Sequence, residues 1–169
     1  MRTLLSLKKL YPDEFKESVY EIDYKKMYQK QFRGILFDVD NTIVFPGAPA
    51  DEKSIKLFEE LKEMGFTCCL VSNNNEERVK PLSAKAGIPY IHSANKPFSN
   101  GLRKGMEKLG RESSEIFLVG DQIFTDVLGA KNTGIYCVLV KPLNKKEDIF
   151  TAMRRVLEKI VLFFYNRKK

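Results

Sequence analysis

Short apolar runs alternate along the chain with longer amphipathic ones. Residues 34–40, Gly-Ile-Leu-Phe-Asp-Val-Asp, predict a buried strand that ends in acid. Over residues 51–64, Ile55, Leu57, Phe58, Leu61 and Met64 recur mostly at helical spacing, and Gly65 stops the helix. Residues 66–72, 89–92, 116–119 and 135–140 read as four further strands, too short and too apolar for surface helices. Between and after them, 76–86, 98–109, 124–132 and 145–165 read as helices, with Pro81 expected to kink the first of these.

Strands that alternate with helices imply βαβ crossovers and a mostly parallel sheet. The strands are apolar almost throughout, as a sheet covered on both faces requires. The expected fold is therefore α/β, a three-layer αβα sandwich. With 169 residues, the chain is expected to form a single domain over 1–169. Its parts are an N-terminal extension (1–33), a core (34–140) and a C-terminal helix (141–169).

In such sheets ligands bind beyond the carboxyl ends of the strands. Four of those ends are polar together: Asp38-Val39-Asp40-Asn41-Thr42, Ser72-Asn73, Lys96-Pro97, and Gly120-Asp121 with Asp126 five residues on. On an extended chain Asp38 and Asp40 point to the same side. Asp121 adds a third acid, and a cluster of carboxylate oxygens suits Mg²⁺. A carboxylate beside Mg²⁺ can attack phosphorus, which makes Asp38 the candidate nucleophile and Asp40 the candidate acid and base. Ser72 and the amides beside Asn73 can hold phosphate oxygens, and Lys96 can steady nucleophile and phosphate. Each of these segments alone is a common cap, turn or surface lysine; their order at successive strand ends is what points to catalysis.

Composition narrows the picture. Cys68, Cys69 and Cys137 lie in apolar runs without a CxxC pair, and His92 is the only histidine. Buried reduced thiols are expected, rather than zinc or disulfides, and His92 reads as structural. The net charge of +7 sits at the ends: residues 34–140 hold 12 Lys/Arg against 14 Asp/Glu, whereas 141–169 hold 9 against 3. The apolar start Leu4-Leu5-Ser6-Leu7 is too short for a secretory signal, and no run reaches membrane-spanning length. A cytoplasmic or membrane-peripheral protein is expected.

The four segments resemble the haloacid dehalogenase (HAD) superfamily, whose patterns DxDx[TV], Ser/Thr, Lys and GDxxxxD match Asp38–Thr42, Ser72, Lys96 and Gly120–Asp126. The segments FDVDNT, VSNNN, KP and GDQIFTD, together with Leu10-Tyr11-Pro12 through Ile22-Asp23, are similar to YqeG-type phosphatases of subclass IIIA. The resemblance implies a Rossmann-like core and Mg²⁺-dependent hydrolysis of phosphate monoesters through an aspartyl-phosphate. It implies that Asp38, Asp40 (through its carbonyl) and Asp121 hold Mg²⁺, with Asp126 binding it through water or orienting neighbours. It places Thr42, Ser72, Asn73 and Lys96 around the phosphate. Only Ile43 to Ala50 separates the first segment from the next helix, so the site should be capless.

Relatives of this family act on phosphatidylglycerophosphate, so a lipid phosphate is the implied substrate. Soluble nucleotide, sugar or phosphoprotein substrates, and a non-catalytic regulatory role, are the alternatives. Leu4, Leu5, Leu7, Leu10 and Tyr11 beside Arg2, Lys8 and Lys9 suit contact with a membrane surface. So does the final helix, with Ile149, Met153, Val156, Ile160 and Phe164 at helical spacing and a basic tail. Packing of that helix on the sheet is the simpler expectation. No nucleic-acid recognition pattern appears, and the oligomeric state is not encoded in any feature of the sequence.

Overall fold

The computed structural model describes residues 9–144, 157–163 and 165. Six strands form one sheet: β1 (Glu14–Lys16), β2 (Gly34–Phe37), β3 (Thr67–Val71), β4 (Tyr90–Ile91), β5 (Ile116–Gly120) and β6 (Tyr136–Val140). Their order is β1-β6-β5-β2-β3-β4, and every pair is parallel. The helices are α1 (Tyr24–Gln29), α2 (Glu52–Glu63), α3 (Glu76–Ala86), α4 (Ser99–Leu109) and α5 (Leu128–Thr133).

The period of two within each strand divides the core between two faces. Ile35, Phe37, Cys68, Leu70, Phe117, Val119, Val138 and Val140 face one side, against Met27 of α1, Phe58 and Leu61 of α2 and Val79 of α3. Leu36, Cys69, Val71, Leu118, Cys137 and Leu139 face the other, against Leu102 of α4 and Ala130 of α5. This is the three-layer sandwich expected from the apolar strands. The three thiols are buried and free, and burial pushes those of Cys68 and Cys69 up to about 12, which keeps them protonated.

Local chemistry sets the helix boundaries. Asp51 and Ser54 form a capping box at α2, Asn75 accepts from the Arg78 amide at α3, and Gly87 and Gly110 end α3 and α4 in left-handed conformations. Helix α3 runs through Pro81 without a break.

Three features depart from the sequence expectation. Residues 14–16 are not merely part of an extension: Glu14–Lys16 is an edge strand paired with Val138–Val140, and Val19, Ile22, Tyr24 and Met27 enter the core. The strand expected over 34–40 ends at Phe37, because Asp38 to Val44 turn back on the Val39 carbonyl, which accepts from the amides of Thr42, Ile43 and Val44. Residues 157–163 and 165 are helical, but the face that packs carries Glu158, Val161 and Tyr165, whereas Ile160 is 51 % exposed. Ile149, Met153, Val156 and Phe164 of the expected stripe, and the start Arg2 to Lys8, lie outside the described residues.

Candidate active site

Every βα connection in a parallel sheet leaves from the same edge, so the loops after β2, β3, β4 and β5 meet at the carboxyl end. At the centre is Lys96. Its ammonium donates to Asp38 Oδ1 and to Asp126 Oδ1, both at 2.7 Å, with a side chain only 2 % exposed. Burial works against the charge on Lys96, yet the two carboxylates overrule it and hold its pKa above the ordinary value. Burial pushes the Asp38 carboxyl up to about 6, with Asp126 adding to the rise and Lys96 opposing it.

Thr42 joins the third acid to this group. Its buried hydroxyl lies 3.4 Å from Asp38 Oδ2 and 3.3 Å from Asp121 Oδ1. Asp38, Asp121 and Asp126 each present a carboxylate oxygen, and these oxygens lie within 4.8 Å of one another. Three carboxylates against one ammonium leave two negative charges when all are ionised, which a dication balances. Oxygen donors at this spacing suit a hard ion that binds at about 2.0–2.1 Å and keeps several waters. The residues present therefore fit a divalent metal.

The loop after β5 explains how Asp126 reaches Lys96. Ile123–Val127 is a π-helical turn, wider than an α-helical one, and it carries the Asp126 side chain back toward the strand end. There Asp126 Oδ2 accepts from the Gln122 amide at 3.0 Å. Gly120 makes this possible, since a Cβ at that position would overlap the Asp126 carboxyl.

Asp40 goes elsewhere. The chain turns after Phe37, with Asn41 in the left-handed conformation at φ 63, so the alternation expected of an extended segment is lost. The Asp40 carboxylate accepts from Arg78 Nε and Nη2 at 3.0 and 2.7 Å, from Asn74 Nδ2 at 2.5 Å and from the Gly47 amide at 3.2 Å. Its side chain therefore stands apart from the three-acid cluster. Arg78, in the first turn of α3, went unnoticed in the sequence because it reads as one more charge on a solvated helix. Its position just past the Asn75 cap, at the strand-end side of the fold, is the one signal that points to it.

Ser72 is buried, and its hydroxyl accepts from the Asn74 amide at 3.1 Å. The Asn73 side chain is engaged with the main chain of Lys96, accepting from its amide at 2.7 Å and donating to its carbonyl at 3.0 Å. Asn73 thus fixes the lysine loop, leaving its own amide rather than its side chain for an anion. His92 Nδ1 lies 3.2 Å from the Ser93 hydroxyl and its ring 6.3 Å from that of Tyr90, outside the three-carboxylate cluster. A cavity of about 490 Å³ reaches Asp121, with Phe15, Leu139, Pro142 and Leu162 on its walls.

Comparison with known proteins gives this arrangement a context. The family of haloacid dehalogenase-like hydrolases matches residues 47–134. The chain is 37 % identical over 164 residues to "Probable phosphatase YqeG" of Bacillus subtilis (strain 168), covering 96 % of this chain and 95 % of that one. It is 32 % identical over 160 residues to "Phosphatidylglycerophosphate phosphatase 1, chloroplastic/mitochondrial" of Arabidopsis thaliana, covering 87 % of this chain but only 45 % of that protein. Among solved structures, the cobalt-bound deoxy-D-mannose-octulosonate 8-phosphate phosphatase YrbI of Haemophilus influenzae shares the fold. Its TM-score is 0.52 at 13 % identity, over 81 % of this chain and 91 % of that one.

Proposed function

The chain belongs to the haloacid dehalogenase-like hydrolases and is a phosphatase, and from that premise we propose that it cleaves phosphate monoesters by forming an aspartyl-phosphate on Asp38. The observation that carries this reading is the convergence of three separate segments, which bring one ammonium and three carboxylates together.

Each residue has a distinct task. Asp38 Oδ attacks phosphorus while the bond from phosphorus to the ester oxygen breaks. Asp40 gives its proton to the departing alkoxide, then takes one from the water that attacks the aspartyl-phosphate and releases phosphate. To do so it must first turn an oxygen away from the donors that now hold it. Lys96 orients Asp38 and offsets negative charge as the phosphoryl group arrives, and Asp126 holds Lys96 in place. Ser72 and the Asn73 amide donate to phosphate oxygens in this reading. Asp38, Asp121 and Asp126, with the Asp40 carbonyl, would hold Mg²⁺, which would supply neutralisation of the phosphate's charge. Thr42 keeps Asp38 and Asp121 in register for that binding.

A lipid phosphate is the favoured substrate. The phosphatidylglycerophosphate phosphatase similarity and the apolar cavity reaching Asp121 support it. No helix among the described residues is long and apolar enough to cross a membrane.

Two assays test the proposal. Asp38→Asn should fold normally yet lose Mg²⁺-supported hydrolysis of an aryl phosphate; full activity in that variant removes Asp38 as nucleophile. A panel of phosphatidylglycerophosphate in mixed micelles against nucleotide, sugar and peptide phosphates should favour the lipid. Equal rates across the panel contradict that preference.

A further inference from the structure

The carboxyl end of the sheet carries apolar side chains where a solvent-facing protein surface has no use for them. Phe98 is 73 % exposed and Phe45 55 % exposed, the former two residues after Lys96 and the latter five after Asp40. Both stand on the loops that deliver the proposed catalytic groups. Leu157, 55 % exposed, is at the same end, because its neighbour Glu158 accepts from the Ile123 amide at 2.7 Å, two residues beyond Asp121. Ile160 follows Leu157 at helical spacing and is 51 % exposed, while the adjoining flank of that helix is buried through Glu158, Val161 and Tyr165.

An open site needs something to exclude water while phosphoryl transfer proceeds. Among the described residues, only α3 and the short β4 lie between Ser72 and Lys96, and a loop alone joins β2 to α2; no inserted unit covers the cluster. Lys141 and Lys159 are exposed on the wall of the cavity that reaches Asp121, Lys141 standing 2.8 Å from Glu17, and residues 141–169 hold 9 Lys/Arg against 3 Asp/Glu. Apolar side chains near exposed lysines are what binds an anionic interface.

We propose that Phe45, Phe98, Leu157 and Ile160 form a docking face for an anionic membrane, and that the bilayer surface takes the place of the missing cap over Asp38. This rests on the lipid-phosphate reading above. The phenylalanines insert beside the headgroup being cleaved, so the aromatic rim, rather than the basic tail alone, couples membrane contact to turnover.

The test uses the full chain and two double variants, Phe45→Ser/Phe98→Ser and Leu157→Ser/Ile160→Ser. Three substrates are compared: an aryl phosphate, a short-chain phosphatidylglycerophosphate below its micelle concentration, and long-chain phosphatidylglycerophosphate in phosphatidylglycerol vesicles. The expected result is that both variants match the wild type on the two soluble substrates and fall by about tenfold or more on vesicles. Co-sedimentation with phosphatidylglycerol vesicles falls in parallel. Wild-type rates of both variants on vesicles overturn the docking face and leave the lipid reading standing. Failure of the wild type on the short-chain lipid overturns the lipid reading and the docking face with it. A wild-type dimer that becomes monomeric in the variants, with vesicle binding unchanged, assigns the face to a second copy of the chain and overturns the proposal.

Discussion

Replacing Lys96 by Met keeps the length of the side chain and removes the charge between Asp38 and Asp126. At an effective dielectric of about 20, each 2.7 Å contact represents ~6 kcal/mol of gross attraction. Desolvation of the three buried ions offsets most of that sum. What remains after truncation is two adjacent carboxylates without a counter-charge, and breaking a buried pair in this way costs about 3–5 kcal/mol. The loss should be largest above neutrality and shrink on acidification, as Asp38, already pushed up to about 6 by burial, takes a proton. Urea unfolding followed by circular dichroism, with chelator present, reads the loss directly as a shift of the midpoint at constant slope. Added Mg²⁺ should recover part of it, since an ion that binds only the folded state stabilises that state by mass action. A loss below about 1 kcal/mol at ~pH 8 without metal would mean that the carboxylates are solvated or apart, and the central contact would be refuted.

Two further outcomes follow from the same geometry. Asp38 has its pKa raised from 3.8 to about 6, so the folded state binds its proton more tightly than the unfolded chain does. Its contribution is favourable below about pH 4 and is lost as pH rises through about 6, a change of roughly 3 kcal/mol. Without metal, the stability difference between the wild type and Asp38→Asn should shift against the wild type by that amount across this window, and Mg²⁺ should flatten the trend; a flat difference without metal contradicts the burial of Asp38. Arg78→Ala removes the guanidinium from which Asp40 must turn to reach the leaving group, so turnover of alkyl phosphates, which need a proton on that group, should rise by about threefold while aryl phosphates change little. Equal losses on both substrate types would make Arg78 a structural residue only.

The segments that meet at the candidate site were legible because each follows an apolar run, and a parallel sheet gathers such ends on one edge. Asp38, Lys96, Asp121 and Asp126 could be placed together without any side-chain geometry. The orientation of Asp40 could not, since it depends on the turn from Asp38 to Val44 rather than on strand alternation. Nor could the role of Arg78, whose neighbours Glu76, Glu77 and Lys80 make it look like part of a solvated face. The edge strand Glu14–Lys16 was hidden for a different reason. It has three residues, two of them charged, and it pairs on only one side, so it carries neither the length nor the apolar pattern by which strands are recognised. For the C-terminal helix the periodicity was visible but the inward face was not. Val161 and Tyr165 pack, and Ile160, one residue before Val161, faces outward.

That Asp38 becomes phosphorylated can be tested chemically. Aryl phosphate is turned over with Mg²⁺ by the wild type and by Asp40→Asn, the reaction is quenched, and borohydride is added to reduce any acyl phosphate to an alcohol. Peptide mapping by mass spectrometry should then find homoserine at position 38, at higher occupancy in Asp40→Asn, where water attack is slowed. Homoserine at another acid, or aspartate unchanged at 38 while phosphate is still released, would contradict the account.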